Sequence, residues 1–218
     1  FPAEKAFADP AHAASLANLF LDELLRNGTT SALVFPTVHA HSVDALFDAA
    51  LDRNMRILSG KILMDLGPDG LADMPESGRD ESEALIRRWR GQGRLGYAVT
   101  PRFALTSSDA QLQVAGALLA DHPDILLHTH LAENLRECSA VADRFPTARD
   151  YLDVYDRFGL LRRRAVYAHC LHLDAADRTR MCESGASVAF CPGSNLFLGS
   201  GLLDLPACAA GHLALGTD

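Results

Sequence analysis

Apolar positions along this chain alternate between a helical and a strand-like period. Over residues 11–26, Leu16, Leu19, Phe20 and Leu24 fall on one stripe, with Asp22, Glu23 and Arg26 elsewhere, which predicts a helix. Asn27-Gly28 supplies its stop, since both residues tolerate a left-handed turn. A strand follows over 29–35, ended by Pro36. Then come a helix over 42–54 with Ser42 as N-cap and a strand over 56–64. Residues 65–79 hold Gly67-Pro68, Gly70, Pro75 and Gly78, and read as a loop. Helices are expected at 80–92, 108–121, 149–158 and 174–183, with one more ahead of a break at Pro146. Strands are expected at 95–100, 125–130, 165–169, 187–190 and 213–215, with Cys191-Pro192-Gly193 as a turn.

Strand and helix alternate seven times with short connections, which predicts an α/β fold with parallel strands and right-handed crossovers. No GxGxxG follows the first strand, so a dinucleotide fold has little support. Polar residues follow several different strands: Arg102, His130 to Glu133, His169 and Asp218. A (β/α)8 barrel gathers the loops after all its strands at one face, and so explains this scatter better than an open sheet. Seven strands in 218 residues fall one unit short of the roughly 250 residues usual for that fold. Residues 1–218 therefore read as one domain, a barrel one unit short.

Composition narrows the partners. The formal charge is −8 with no basic stripe, which argues against nucleic acid and anionic membrane surfaces. No apolar run approaches the roughly 20 residues of a membrane helix, and the first residues lack the features of a signal peptide. Five cysteines without CxxC spacing fit reduced thiols, hence a cytoplasmic location, and not a thiolate zinc site.

The candidate chemistry centres on His128-Thr-His-Leu-Ala-Glu133. Side chains of a strand alternate faces, so His128 and His130 share one side. Imidazoles there can bind a metal and Glu133 can move protons, the alternative being two core histidines beside a surface glutamate. Asp218 ends Leu213-Ala-Leu-Gly-Thr and His169 ends Ala165-Val-Tyr-Ala, each at a strand's C-terminal end. Arg102-Phe103 offers a planar donor fork and a stacking face, suited to a flat heteroaromatic ligand or to a salt bridge beside a core ring. His39 and His41 have the same two-residue spacing, but Pro36 breaks the strand before them and places them in a loop. His12, His122, His172 and His212 read as surface or capping residues, and Arg162 to Arg164 as a solvated face.

Five segments then carry a resemblance. Phe1-Pro-Ala-Glu4, Val99-Thr-Pro-Arg-Phe-Ala104, His130-Leu-Ala-Glu-Asn134, Ala168-His169 and Cys191-Pro-Gly-Ser-Asn-Leu-Phe-Leu-Gly-Ser-Gly201, leading to Leu215-Gly-Thr-Asp218, resemble the amidohydrolase superfamily and within it the guanine deaminases. Asn27-Gly-Thr-Thr30 and Tyr151-Leu-Asp-Val-Tyr-Asp156 add to it. The resemblance implies zinc-assisted hydrolysis of guanine to xanthine and ammonia, with one zinc per subunit; iron also suits such ligands. It implies His130 and Asp218 as metal ligands, and Glu133, His169 and Asp218 as the catalytic set. Arg102 and Phe103 would hold the purine, with His130, Glu133, His169 and Asp218 around it, and His128 one layer deeper. It also implies a homodimer. The family's first two ligands, an HxH pair on a strand before Phe-Pro-Ala-Glu, have no counterpart here, so the sequence reads as an internal fragment expected to bind zinc poorly and turn over little alone. The alternatives are a related hydrolase of 8-oxoguanine, an aminotriazine or a pterin, and a non-catalytic barrel serving as an assembly partner.

Overall fold

Parallel strands alternate with helices through residues 2–208 and 211–218, the residues that the computed structural model describes. Phe1, which opens the Phe-Pro-Ala-Glu segment, lies outside them. The class is α/β, with the strand–helix alternation of an incomplete (β/α)8 barrel. The chain divides into two compact units, Phe1–Pro101 with Thr106–Ile125 and Arg102–Leu105 with Leu126–Asp218.

In the first unit, α1 (Pro2–Lys5) and a 3-10 turn precede α2 (Pro10–Arg26). The Asp9 side chain accepts from the Ala11 N–H at 3.0 Å, and Pro10 occupies the first turn, where its missing N–H costs nothing. Next come β1 (Ser31–Leu33), α3 (Ala40–Asp52), β2 (Arg56–Ser59), β3 (Ile62–Leu63), α4 (Pro75–Trp89), β4 (Gly96–Pro101) and α5 (Asp109–Asp121). The order is β1-β2-β4 with β3 beside β4, all parallel.

Three expectations are corrected here. The strand over 56–64 is broken at Gly60-Lys61. A Cβ on Gly60 would lie 2.0 Å from the Ala98 carbonyl, and the Lys61 side chain turns into ion pairs with Asp73 and Glu81, both at 2.6 Å. The loop after it is shorter than predicted, because Pro75 starts α4 while Ser77 and Met74 exchange hydrogen bonds across the first turn. Ser42 is not the N-cap of α3. His39 holds that position, and the buried Ser42 hydroxyl bonds the His39 carbonyl and Thr37.

The second unit contains β5 (Leu126–Leu131), α6 (Leu135–Arg144), α7 (Tyr151–Arg157), β6 (Ala165–His169), α8 (Ala175–Ser184), β7 (Ser187–Phe190), α9 (Pro192–Leu198) and β8 (His212–Leu215). Its order is β5-β6-β7-β8, parallel throughout. Asn134, Asp150 and Asp174 cap α6, α7 and α8 by accepting backbone N–H groups. The predicted turn at 191–193 is instead the start of α9, with Pro192 in its first turn and Gly199 closing it at φ 69°. The buried interior of this unit includes Leu127, Tyr155 and Tyr167.

Candidate active site

Parallel register decides what meets what. Leu131 pairs with His169 and His130 with Ala168, so the C-terminal ends of β5 and β6 finish side by side. β8 pairs with β7 as far as Leu215 opposite Phe190, and the chain reaches Asp218 three residues later. Four residues there hold a left-handed backbone without being glycine: Ala132 (φ 50°), His169 (φ 71°), Cys170 (φ 55°) and Asp218 (φ 65°). Each such conformation costs on the order of 1 kcal/mol or more and persists only where neighbours enforce it. Cys170 N–H to Leu131 O at 2.8 Å and Leu171 N–H to Ala132 O at 3.1 Å do so here.

Within the second unit, His130, Glu133, His169 and Asp218 come together. His130 Nε2 lies 3.7 Å from Asp218 Oδ1. His169 Nε2 lies 3.8 Å from Glu133 Oε2 and 4.0 Å from Asp218 Oδ2. The two imidazoles stack with centroids 5.4 Å apart. Among the described residues, His130, His169 and Asp218 form a group able to hold a metal ion, with one ligand atom from each lying within 4.8 Å of the others.

The tautomer of His130 follows from its neighbour. Its Nδ1 is 2.9 Å from the Arg102 carbonyl, which can only accept, so Nδ1 carries a hydrogen and Nε2, on the side of Asp218, is the atom left to offer a lone pair to a metal. A lone pair and a carboxylate oxygen at that separation fit one divalent ion with bonds of about 2.0–2.1 Å. The Arg102 carbonyl also accepts the His130 backbone N–H at 3.2 Å and faces the Thr129 hydroxyl at 3.2 Å. Tyr155 braces the same region. Its hydroxyl donates to the His130 carbonyl at 2.7 Å and accepts the Ala104 N–H at 3.1 Å.

Electrostatics agree with a charged carboxylate at Asp218. The His130 imidazole beside Asp218 holds its carboxyl well below the usual carboxylate range, with help from Ser194 and against partial burial. Burial lowers the pKa of His169, although Glu133 and Asp218 oppose this. His128, on the same strand and buried, is pushed down to about 3, mainly by burial.

Arg102 and Phe103 follow β4 directly and are half-buried. Their four-residue stretch Arg102–Leu105 groups with the unit that holds the four site residues. His39 and His41 stack on each other in the first unit, 5.5 Å between centroids. His41 Nε2 bonds the Phe7 carbonyl at 2.7 Å, and neither histidine belongs to the metal-capable group.

Sequence reasoning missed three residues on the segment after β7. Ser194 donates to Asp218 Oδ2 at 2.5 Å, Asn195 contacts His169 Nδ1 at 2.8 Å, and Ser200 reaches Glu133 Oε1 at 3.5 Å. Reading the segment as a turn hid the helix that carries Ser194 and Asn195, with Ser200 following its Gly199 cap. Pro192 just after Cys191 was the available signal for a helix start.

Comparison with known proteins agrees with this geometry. The amidohydrolase family model matches residues 2–218. The guanine deaminase of Escherichia coli (strain K12) is 50% identical over 206 residues, which is 94% of this chain and 47% of that protein. The guanine deaminase of Homo sapiens is 33% identical over 225 residues, covering 100% of this chain and 49% of that protein. The chain thus spans about half the length of the curated relatives it matches. Among solved structures, E. coli guanine deaminase superposes with a TM-score of 0.98 at 48% identity, covering 100% of this chain and 52% of that one. Guanine deaminase from C. acetobutylicum, with guanine bound in its active site, gives 0.97 at 27% identity over 100% of this chain and 53% of that one. With the family model matched from residue 2 to residue 218, this chain belongs to the amidohydrolase family.

Proposed function

We propose that this protein hydrolyses guanine to xanthine and ammonia. The observation that carries the reading is the convergence of His130, Glu133, His169 and Asp218 at the ends of parallel strands, in a chain whose relatives at 50% and 33% identity are guanine deaminases. His130 and Asp218 would hold one zinc ion per subunit, with iron as the other metal that such ligands suit. Bound zinc lowers the pKa of water so that hydroxide is available at neutral pH.

The remaining work falls to side chains. Asp218, kept ionised, takes the proton of the attacking water. Glu133 delivers its proton to the ring nitrogen as the oxygen adds to the amino-bearing carbon. It then takes the proton of the new hydroxyl and passes it to the amine, and the proton held on Asp218 restores Glu133. The carbon–nitrogen bond then breaks and ammonia leaves. His169 hydrogen-bonds the attacking oxygen. Arg102 grips the polar edge of the purine and Phe103 packs on its ring. No helix among the described residues is long and apolar enough to cross a membrane. A cytoplasmic homodimer completes the proposal.

The test is release of ammonia and xanthine from guanine by the intact protein, depleted of metal and then reloaded with zinc. Activity should vanish on depletion and return on reloading. Arg102→Ala should raise KM at least tenfold, and Glu133→Gln should lower kcat by roughly 10²–10⁴-fold with a smaller change in KM. Zinc-loaded intact protein that leaves guanine unchanged would sink the reading.

A further inference from the structure

We propose that Asn195 is a positioning residue that makes His169 a hydrogen-bond donor to the reacting oxygen and keeps it from serving as a metal ligand. The proposal rests on the reaction read above and adds a residue to it.

Asn195 is fully buried on α9, and its side-chain Nδ2 lies 2.8 Å from His169 Nδ1. An amide N–H donating to Nδ1 requires that atom to be bare, so the imidazole hydrogen sits on Nε2. The opposite arrangement would turn the amide round, put the hydrogen on Nδ1 and leave a lone pair on Nε2. The surroundings of Nε2 choose between them. Among the described residues it has no hydrogen-bond partner, and it lies 3.8 Å from Glu133 Oε2 and 4.0 Å from Asp218 Oδ2. A lone pair there would face two anionic oxygens, whereas an N–H points its positive end at them and at any oxygen held between them. An imidazole with hydrogen on Nε2 cannot ligate through that atom. The three-residue group around Asp218 is therefore split by chemistry, with His130 presenting a lone pair and His169 presenting a hydrogen.

Asn195 is not isolated in this role. Ser194 donates to Asp218 at 2.5 Å and Ser200 reaches Glu133 at 3.5 Å. The Ser200 N–H is tied back to the Asn195 carbonyl at 2.9 Å, and His172 Nε2 sits 3.1 Å from the Ser200 carbonyl. One short segment thus touches Asp218, His169 and Glu133, three of the four residues that converge at the site.

The experiment records the side-chain ¹⁵N–¹H correlation of His169 in the intact protein, metal-free and with zinc alone, assigned by its loss in His169→Gln. The expected pattern is a protonated Nε2 and a bare Nδ1 in both states. A protonated Nδ1 with a metal-bound Nε2 would overturn the proposal. Asn195→Leu, of nearly equal size, should scramble this pattern. It should also lower kcat on guanine about 10–100-fold, while zinc content and KM stay within about threefold. An unchanged tautomer in Asn195→Leu would equally overturn it. If that variant does not fold, the wild-type spectrum still decides. If guanine is not the substrate, the activity reading fails while the spectrum reports the tautomer regardless.

Discussion

At the scale of single residues, burial and charge compete, and Asp177 shows which wins. It accepts from Arg180 at 3.2 Å and sits in the first turn of α8, both of which favour the ionised form. Burial nevertheless dominates, and with Asp150 and Asp174 nearby it raises the Asp177 carboxyl to about 6. The unfolded value is 3.8, so the folded state binds the proton more tightly. Stability from this group is therefore fully present below about pH 4 and is lost as pH rises through about 6. Asp177→Asn should flatten the urea-unfolding free energy between pH 4 and 6 and raise it at pH 7 by about 1 kcal/mol. Arg180 would keep Asp150 and Asp156 as partners at 3.4 Å and 2.8 Å. A variant whose pH dependence matches wild type over that window would show that Asp177 is already ionised in the fold.

At the scale of elements, the periodic segments were legible and the exceptions have local causes. The helix over 11–26 and the strand over 165–169 formed where their apolar spacing put them, but the helix buries Ala13, Ala17 and Leu21, while Leu19 and Phe20 of the expected stripe are exposed. The split of 56–64 was not legible, since it depends on the Ala98 carbonyl approaching Gly60 from another strand. Nor was the partner of Lys61, whose buried ammonium pairs with Asp73 from the following loop and Glu81 from α4. His130, Glu133, His169 and Asp218 could be picked out because each follows an apolar strand. Ser194 and Asn195 could not, because their partners lie 24 and 26 residues away and only the fold brings them near. Lys61 also explains the segment over 65–74. Its partner Asp73 accepts the Met64 N–H at 3.2 Å, while Leu71 packs with Val38, Ile62 and Met64. Lys61→Met keeps the stem and removes the charge, stranding a carboxylate whose side chain is 10% exposed. It should cost roughly 3 kcal/mol in chemical denaturation, with earlier proteolysis near 65–74. Asp73→Asn should cost less, because Lys61 keeps Glu81. If Lys61→Met is within about 0.5 kcal/mol of wild type, the ion pair does not hold the loop.

At the scale of the molecule, the notable fact is how far along the chain the second unit reaches for its parts. It takes in the four residues Arg102–Leu105, although the chain on either side of them belongs to the first unit. Tyr155 is one of the side chains that hold them. The Tyr155 ring is fully buried between Tyr151 and Tyr167, with centroids 5.6 and 5.8 Å away, and its hydroxyl joins the His130 carbonyl to the Ala104 N–H. The Arg102 carbonyl, two residues before Ala104, is what orients His130. The phenol therefore braces both the His130 backbone and the stretch that carries Arg102 and Phe103. Tyr155→Phe keeps the packing and removes one hydroxyl, leaving a buried carbonyl and a buried N–H short of a partner, a loss of about 1–3 kcal/mol. The consequence expected beyond stability is a joint one. Zinc affinity should fall as His130 loosens, and KM for guanine should rise as Arg102 drifts, each by about tenfold. Hydrogen exchange at Ala104 should speed up in the same variant. A purely structural tyrosine would lower the melting temperature and leave zinc affinity and KM where they were, so titrating zinc into the folded variant below its transition separates the two roles.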